Sequence, residues 1–368
     1  MKTLSDPVRY AVVGLGHIAQ TAILPAFQHS RNSKLGALIT GDPKKESALS
    51  DRYGVPAYDY HDLEAAILRE GIDVVYICLP NTLHREYAER AAAANAHILC
   101  EKPLAVTEED CRAIMFAAEK NHVALMVAYR LHFTDAHVRA VELVRSGELG
   151  EIRFFNSLFA MQVKEENIRI RRDTGGGTLY DIGIYCINAA RYLFQDEPQE
   201  VMAATGTRPD ERFREIEEMA SAVLRFPGDR LATFTCSFGS TEVDQLDIIG
   251  TKGSLQIKPA YTYSGPLTWF KRTNHRVEEM VFPAGDQFAG ELTYFSDCLL
   301  NDKRPEPSGA EGTADVRIIN ALYESAREGH AIKIGAVKKA DRPDATQEIK
   351  HPPFEAPPKL VGAEAPHT

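Results

Sequence analysis

The chain has 368 residues, 44% of them hydrophobic and 26% charged, with a formal net charge of −10. That length exceeds what one hydrophobic core usually organises and implies two domains and a tail, while the acidic balance argues against binding nucleic acid through clustered Lys and Arg. No apolar stretch approaches the ~20 residues of a membrane span, and the short lead from Met1 to Pro7 has no signal-peptide pattern, so a cytoplasmic location is expected.

From Tyr10 to about Val127, short apolar runs alternate with helical stretches. The runs are Tyr10 to Val13, Leu35 to Ile39, Val74 to Leu79, His97 to Leu99 and Val123 to Val127, with alanine-rich helical periodicity at Tyr87 to Ala96 and Glu108 to Lys120. Strands alternating with helices predict an α/β fold, a doubly wound Rossmann dinucleotide-binding domain over residues 1–128. Residues 129–333 change character. A helix at Ala136 to Ser146 and a glycine-led helix at 178–194 precede strand-like segments at Ser221 to Phe226, Leu231 to Phe238, Gln245 to Ile249 and Ser254 to Ile257. Turn signals separate those segments, which predicts an α+β domain on a largely antiparallel sheet. A last helix at Thr313 to Glu328 leads to a proline-rich tail, 334–368, with too little apolar surface for a core of its own.

Six cysteines lie scattered, mostly in apolar runs and with no C-x-x-C pair, and read as small core residues. The twelve histidines form no H-x-x-x-H helix motif beside a carboxylate, so no metal is expected.

Gly14-x-Gly16-His17-Ile18-Ala19 follows a strand and opens a helix. Gly14 permits the tight turn, Gly16 lets backbone approach a pyrophosphate, Ala19 allows close helix–sheet packing, and the helix N-terminus offers N–H groups to phosphate. The second strand ends Leu38-Ile39-Thr40-Gly41, without the acid that would bind the ribose 2′-hydroxyl of NAD. Thr40 followed by Lys44 and Lys45 favours NADP, whereas Asp42, shifted two positions, would select NAD.

Lys102 stands past His97-Ile-Leu-Cys100, at the carboxyl end of a parallel strand where open α/β sheets place ligands. Leu79-Pro80-Asn81 ends the neighbouring strand, and His84 follows at the start of the next helix. In the later helix, Asp181, Tyr185, Asn188 and Tyr192 recur at four, three and four positions and so share one face. The other faces are apolar, so the helix is expected to be buried and its polar stripe to need partners or a cavity.

In these motifs the chain resembles the glucose-fructose oxidoreductase branch of the Gfo/Idh/MocA oxidoreductases. The resemblance runs from residue 8 to about 333 through the glycine turn, Ile77-Cys-Leu-Pro-Asn-Thr-Leu-His84, Cys100-Glu101-Lys102-Pro103, Ala128-Tyr-Arg130, Arg171-Arg-Asp-Thr-Gly-Gly-Gly177 and Asp181-Ile-Gly-Ile-Tyr185. It implies that Lys102, Asp181 and Tyr185 surround nicotinamide and sugar. It also implies that Leu79, Asn81, His84, Glu101, Lys102 and Arg130 line the cofactor together with Gly14, Gly16, His17, Ile18, Thr40 and Lys45. Arg169, Arg172 and Tyr263 match positions at the sugar and cofactor, and Ile168 stands where a tryptophan is often found. Tyr185 in place of a histidine base points to aldoses rather than inositol.

A free phenol titrates near 10. The expected roles are therefore Tyr185 as proton acceptor, Lys102 as its electrostatic partner, and Asp181 as the group that orients Lys102 and the sugar. The expected activity is NADP-dependent oxidation of an aldose pyranose at C1 to the lactone, with a second sugar reduced if tightly bound NADP is retained. A sugar or diol dehydrogenase exchanging free NAD(P), and a non-catalytic NADP-binding sensor, stay open. A homodimer or homotetramer is expected, with the tail either wrapped on a neighbouring subunit or disordered.

Overall fold

The computed structural model describes residues 4, 7–337, 342–353 and 358–366. The chain forms two compact units. One comprises Met1–Arg130, Asp286–Gly312 and Ile349–Ala365, the other Leu131–Gly285, Thr313–Glu348 and Pro366–Thr368. No helix among the described residues is long and apolar enough to cross a membrane.

The first unit carries six parallel strands: β1 (Val8–Val13), β2 (Ser33–Ile39), β3 (Ala57–Tyr58), β4 (Val74–Ile77), β5 (His97–Glu101) and β6 (Leu125–Ala128). Their order is β3-β2-β1-β4-β5-β6. Every residue of β4 is buried, as a parallel strand covered on both faces requires. The order reverses between β1 and β4, and the carboxyl ends of these two strands flank the crevice where such folds bind ligands.

A π-helical turn at Ala19–Ile23 follows β1 and runs into α1 (Leu24–Ala26). Next come α2 (Pro43–Tyr53), α3 (Leu63–Arg69), α4 (His84–Ala93) and α5 (Glu108–Lys120). Local sequence sets their ends. Asp42 caps α2 with Pro43 in the first turn and Gly54 closes it at φ 64°. Thr107 caps α5, whose first turn holds Glu108, Glu109 and Asp110.

The second unit is built on a nine-stranded sheet with β7 (Ile152–Gln162) at its centre. On one side lie β10 (Arg230–Ser237), β9 (Met219–Phe226), β8 (Glu200–Gly206) and β15 (Ile332–Lys333). On the other lie β11 (Gly239–Gly250), β12 (Gly253–Ile257), β13 (Leu267–Thr273) and β14 (Arg276–Phe282). All pairings are antiparallel except β7 with β10. Strict alternation in β9 buries Ala220, Ala222, Leu224 and Phe226 and exposes the residues between them. The helices α6 (Asp135–Arg145) and α7 (Ile184–Phe194) pack on each other, and α7 packs on β7.

The sequence reading did not name β3, which has only two residues, the central strand β7, β8, β13 and β14, or α8 (Gln287–Leu300). Residues 286–312 and 349–365 group with the first unit. Long-range polar contacts fasten α8 there. Ser296 Oγ lies 2.8 Å from Tyr10 Oη and 2.7 Å from Ser33 Oγ, and Asn32 donates to the Thr293 carbonyl at 2.9 Å. Asp286 caps α8 and faces His29 Nδ1 at 2.8 Å.

Candidate active site

In the first unit, Gly14 leaves β1 at φ +92°, and a Cβ there would lie 2.6 Å from the Cys78 carbonyl oxygen at the end of β4. The turn therefore has no room for a side chain. A Cβ on Gly16 would meet nothing within 4 Å, so this backbone faces open space at the helix entrance where His17 and Ile18 lie. That cradle fits the pyrophosphate of a dinucleotide.

At the end of β2, Thr40 is 2% exposed and its hydroxyl accepts from Asp42 N at 3.2 Å, so it serves the turn more than the surface. The Asp42 carboxylate accepts from Lys44 N and Lys45 N at 2.9 and 3.4 Å as the cap of α2, and Lys45 Nζ lies 4.0 Å from its other oxygen. Capping holds Asp42 in place, and the two lysines follow it in the first helical turn.

Leu79 and Asn81 bracket the loop after β4. His84, which the sequence assigned to the cofactor, is fully buried with both ring nitrogens on backbone: Nδ1 is 2.9 Å from the Pro103 oxygen and Nε2 3.0 Å from the Leu79 oxygen. Burial pushes its pKa down against the pull of those carbonyls. The ring thus ties the loop after β4 to the loop that carries Lys102, and acts on the site through backbone.

Glu101 is joined to a buried acid that sequence reasoning missed. The Tyr76 hydroxyl lies 3.1 Å from Glu101 Oε1 and 3.2 Å from Glu291 Oε2, on α8. Burial raises the pKa of both carboxyls, most strongly that of Glu291, where the charge of Glu101 adds to the effect and Arg130 opposes it. The Tyr76 hydroxyl thus stands between the buried Glu291 and the partly exposed Glu101. Arg130, expected at the cofactor, is itself buried and donates to Gln287, and its charge pulls the pKa of both glutamates down.

In the second unit, a π-helical turn at Leu179–Gly183 runs into α7. From residue 177 to 194 every side chain is buried except those of Asp181 and Tyr185, which keep partial exposure. Arg169 Nε donates to Asp181 Oδ2 at 2.7 Å, and Asn167 Oδ1 accepts from Arg169 N at 3.0 Å. The Tyr185 ring sits edge-on to Phe159 with centroids 5.8 Å apart and tilted against Tyr261 at 5.9 Å.

The lower half of the predicted polar stripe is structural. Asn188 donates to Asp315 at 2.9 Å and faces His132 Nε2 at 2.8 Å, and the Tyr192 hydroxyl lies 2.5 Å from His137 Nδ1. Arg172 is exposed and donates twice to the Glu215 carbonyl, at 3.1 and 2.7 Å. Tyr261, which the sequence reading did not single out, packs on Tyr185. Its backbone N donates to Asp244 at 2.7 Å and its hydroxyl lies 2.7 Å from Ser157 Oγ. Ile168 is 48% exposed in the turn just before Arg169.

Residues 8–129 match the model described as oxidoreductase family, NAD-binding Rossmann fold, and residues 137–256 match the GFO/IDH/MocA C-terminal domain. The chain belongs to the GFO/IDH/MocA oxidoreductase family. Among its relatives, D-xylose 1-dehydrogenase (NADP(+)) 2 of Haloferax volcanii is 32% identical over 88% of this chain and 99% of its own. The family fold is seen in the aldose-aldose oxidoreductase of Caulobacter crescentus complexed with glycerol, with TM-score 0.85, 36% identity, and coverage of 89% of this chain and 99% of that one. A 3-ketoreductase of Actinomadura kijaniata in complex with NADP and TDP-benzene gives TM-score 0.79 and 25% identity, covering 87% and 98%.

Proposed function

We propose that this family member is an NADP-dependent oxidoreductase that oxidises an aldose pyranose at C1 to the aldonolactone and reduces a second sugar with retained cofactor. The observation that carries the reading is the pattern of exposure on the buried α7 helix and the turn before it, where Asp181 and Tyr185 alone reach the surface. A carboxylate and a phenol presented there, with aromatic rings behind the phenol, suit a polyhydroxylated ring with one hydroxyl to be deprotonated.

NADP, when bound, supplies the acceptor for the hydride that leaves C1. Tyr185 takes the proton of the C1 hydroxyl at its phenolic oxygen, and Lys102 serves the nicotinamide and sugar, the roles the family resemblance implies for them. Arg169 orients the Asp181 carboxylate toward the sugar hydroxyls through its 2.7 Å hydrogen bond. Phe159 and Tyr261 set the plane of the Tyr185 ring. Lys44 and Lys45 supply positive charge for a 2′-phosphate after β2. The similarity to a D-xylose 1-dehydrogenase and to an aldose-aldose oxidoreductase supports the substrate class.

An aldose panel followed at the nicotinamide absorbance, with and without added NADP, tests the reading. Denatured protein is assayed in parallel for released NADP(H). Turnover between two sugars without added cofactor is the expected result, and no turnover on any aldose under either condition defeats it. The similarity to D-xylose 1-dehydrogenases favours a second reading, exchange of free NADP at each turnover, and strict dependence on added cofactor selects it.

A further inference from the structure

Gln20 lies one residue into the helix that follows the glycine turn and is fully buried. A buried carboxamide needs partners for both its ends. Its Nε2 donates to the Leu15 carbonyl at 2.9 Å and to the Val361 carbonyl at 2.9 Å, and its Oε1 accepts from Val361 N at 2.8 Å. One side chain thereby satisfies both backbone groups of one residue in the C-terminal tail, as a neighbouring strand would, and so fixes that residue's position and register.

The next residue continues the same path. Gly362 has φ +54°, and a Cβ there would lie 3.1 Å from Asp42 Oδ2 and 3.1 Å from Lys45 Cε. The tail therefore passes from the helix after β1 to the turn after β2, close against Asp42 and Lys45. In a doubly wound fold these two segments flank the phosphates and ribose of the adenosine half of a dinucleotide. The space above Gly16 stays open, so the tail borders the pyrophosphate position and does not fill it.

We propose that residues 358–365 form a clasp along the adenosine end of the dinucleotide site, with Gln20 as its latch, and that the clasp slows exchange of NADP(H). The inference rests on the cofactor reading above. Opening the clasp leaves the buried Gln20 amide without its Val361 partners, a cost that holds the tail in place. Gly362 allows the approach, since a side chain there would meet Asp42 and Lys45. Retention of cofactor between half-reactions is what a two-sugar cycle requires of such an element.

The test measures NADPH release by stopped-flow fluorescence during a chase with excess NADP, and affinity by calorimetry. The full chain is compared with Gln20→Leu, with Gly362→Val and with a truncation after Pro353. Each change is expected to speed release about tenfold, and the melting temperature without dinucleotide is measured beside it so that faster release is read apart from any loss of stability. Equal release rates for the full chain and the truncation overturn the clasp. Tighter binding by the truncation overturns it too, because the tail would then compete for the site. If Gln20→Leu fails to fold, Gly362→Val and the truncation still decide. Failure of the full chain to bind NADP removes the cofactor reading and the clasp with it, whereas binding with unaltered release removes the clasp alone.

Discussion

Arg169 donates its Nε to Asp181 Oδ2 at 2.7 Å, and the two side chains are only 27% and 18% exposed. A partly buried charge-assisted pair of this kind sets where the carboxylate points. Arg169→Met is expected to lower kcat/KM for the sugar by about 10- to 100-fold with little change in NADP affinity. Arg169→Lys should restore only part of the loss, since lysine lacks the directional guanidinium. Steady-state kinetics beside calorimetric titration of NADP check this. An unchanged kcat/KM in the methionine variant would remove Asp181 from sugar recognition.

Tyr185 is held by rings, with Phe159 and Tyr261 within 6 Å of its centroid. Tyr185→Phe keeps that packing and deletes the hydroxyl. Thermal stability should hold while kcat falls by about 10²- to 10⁴-fold, the range for loss of a general base. Tyr261→Phe makes a useful contrast. It keeps the ring but leaves Ser157 without its phenol partner, so it should lower the melting temperature more than it lowers kcat. Near-normal turnover of Tyr185→Phe on the preferred aldose would refute the proton-acceptor role.

The two turn glycines should separate folding from binding. Gly14→Ala places a methyl 2.6 Å from a carbonyl oxygen at φ +92° and is expected to destabilise the protein by about 1–3 kcal/mol. Gly16→Ala meets no protein atom within 4 Å. It should leave the melting temperature nearly intact and weaken dinucleotide binding, because the added methyl occupies space proposed for the pyrophosphate. Thermal melts and NADP titration of both variants provide the measurement, and equal losses of binding with no loss of stability would contradict the assignment.

Glu291 carries a pH signature. Its folded pKa lies well above the usual carboxylate value because it is buried, with Glu101 and Asp286 raising it further and Arg130 and Tyr76 lowering it. Below the unfolded pKa of about 4.3 the group is protonated in both states and folding incurs no charge-burial cost. As pH rises through the folded pKa, the unfolded chain has already released its proton and stability falls. Removing the titration with Glu291→Gln should therefore raise the melting temperature at pH 8 relative to the parent, with a smaller difference at pH 5. Glu101, raised in the same direction by burial, adds a parallel slope that the variant retains. A pH-independent difference would show that Glu291 does not titrate in this window.

The α7 helix shows how far helix spacing carries. Spacing placed Asp181, Tyr185, Asn188 and Tyr192 on one face, yet nothing in it distinguishes a side chain that opens to a ligand from one that finds an internal partner. Asp315 and His132 close the face at Asn188, and His137 closes it at Tyr192. Arg169 and Arg172 were equal candidates by motif, and the motif does not tell that Arg169 donates to Asp181 and Arg172 to the Glu215 carbonyl. Tyr261 had no local signal at all, because its place beside Tyr185 depends on how β7, α7 and the segment after β12 pack.

By itself the sequence determined the parallel α/β order of the first unit, the glycine turn, Lys102 at a strand end and the Asp181–Tyr185 pair. Each of these is written in contiguous residues whose backbone preferences and burial period act locally. Only the tertiary structure decided that α8 returns to bring Glu291 to Tyr76 and Glu101, that His84 and Arg130 are occupied with internal partners, and that Val361 docks on Gln20. These contacts join residues up to 341 positions apart. Their choice follows from satisfying buried polar groups in three dimensions, a constraint that local periodicity does not encode.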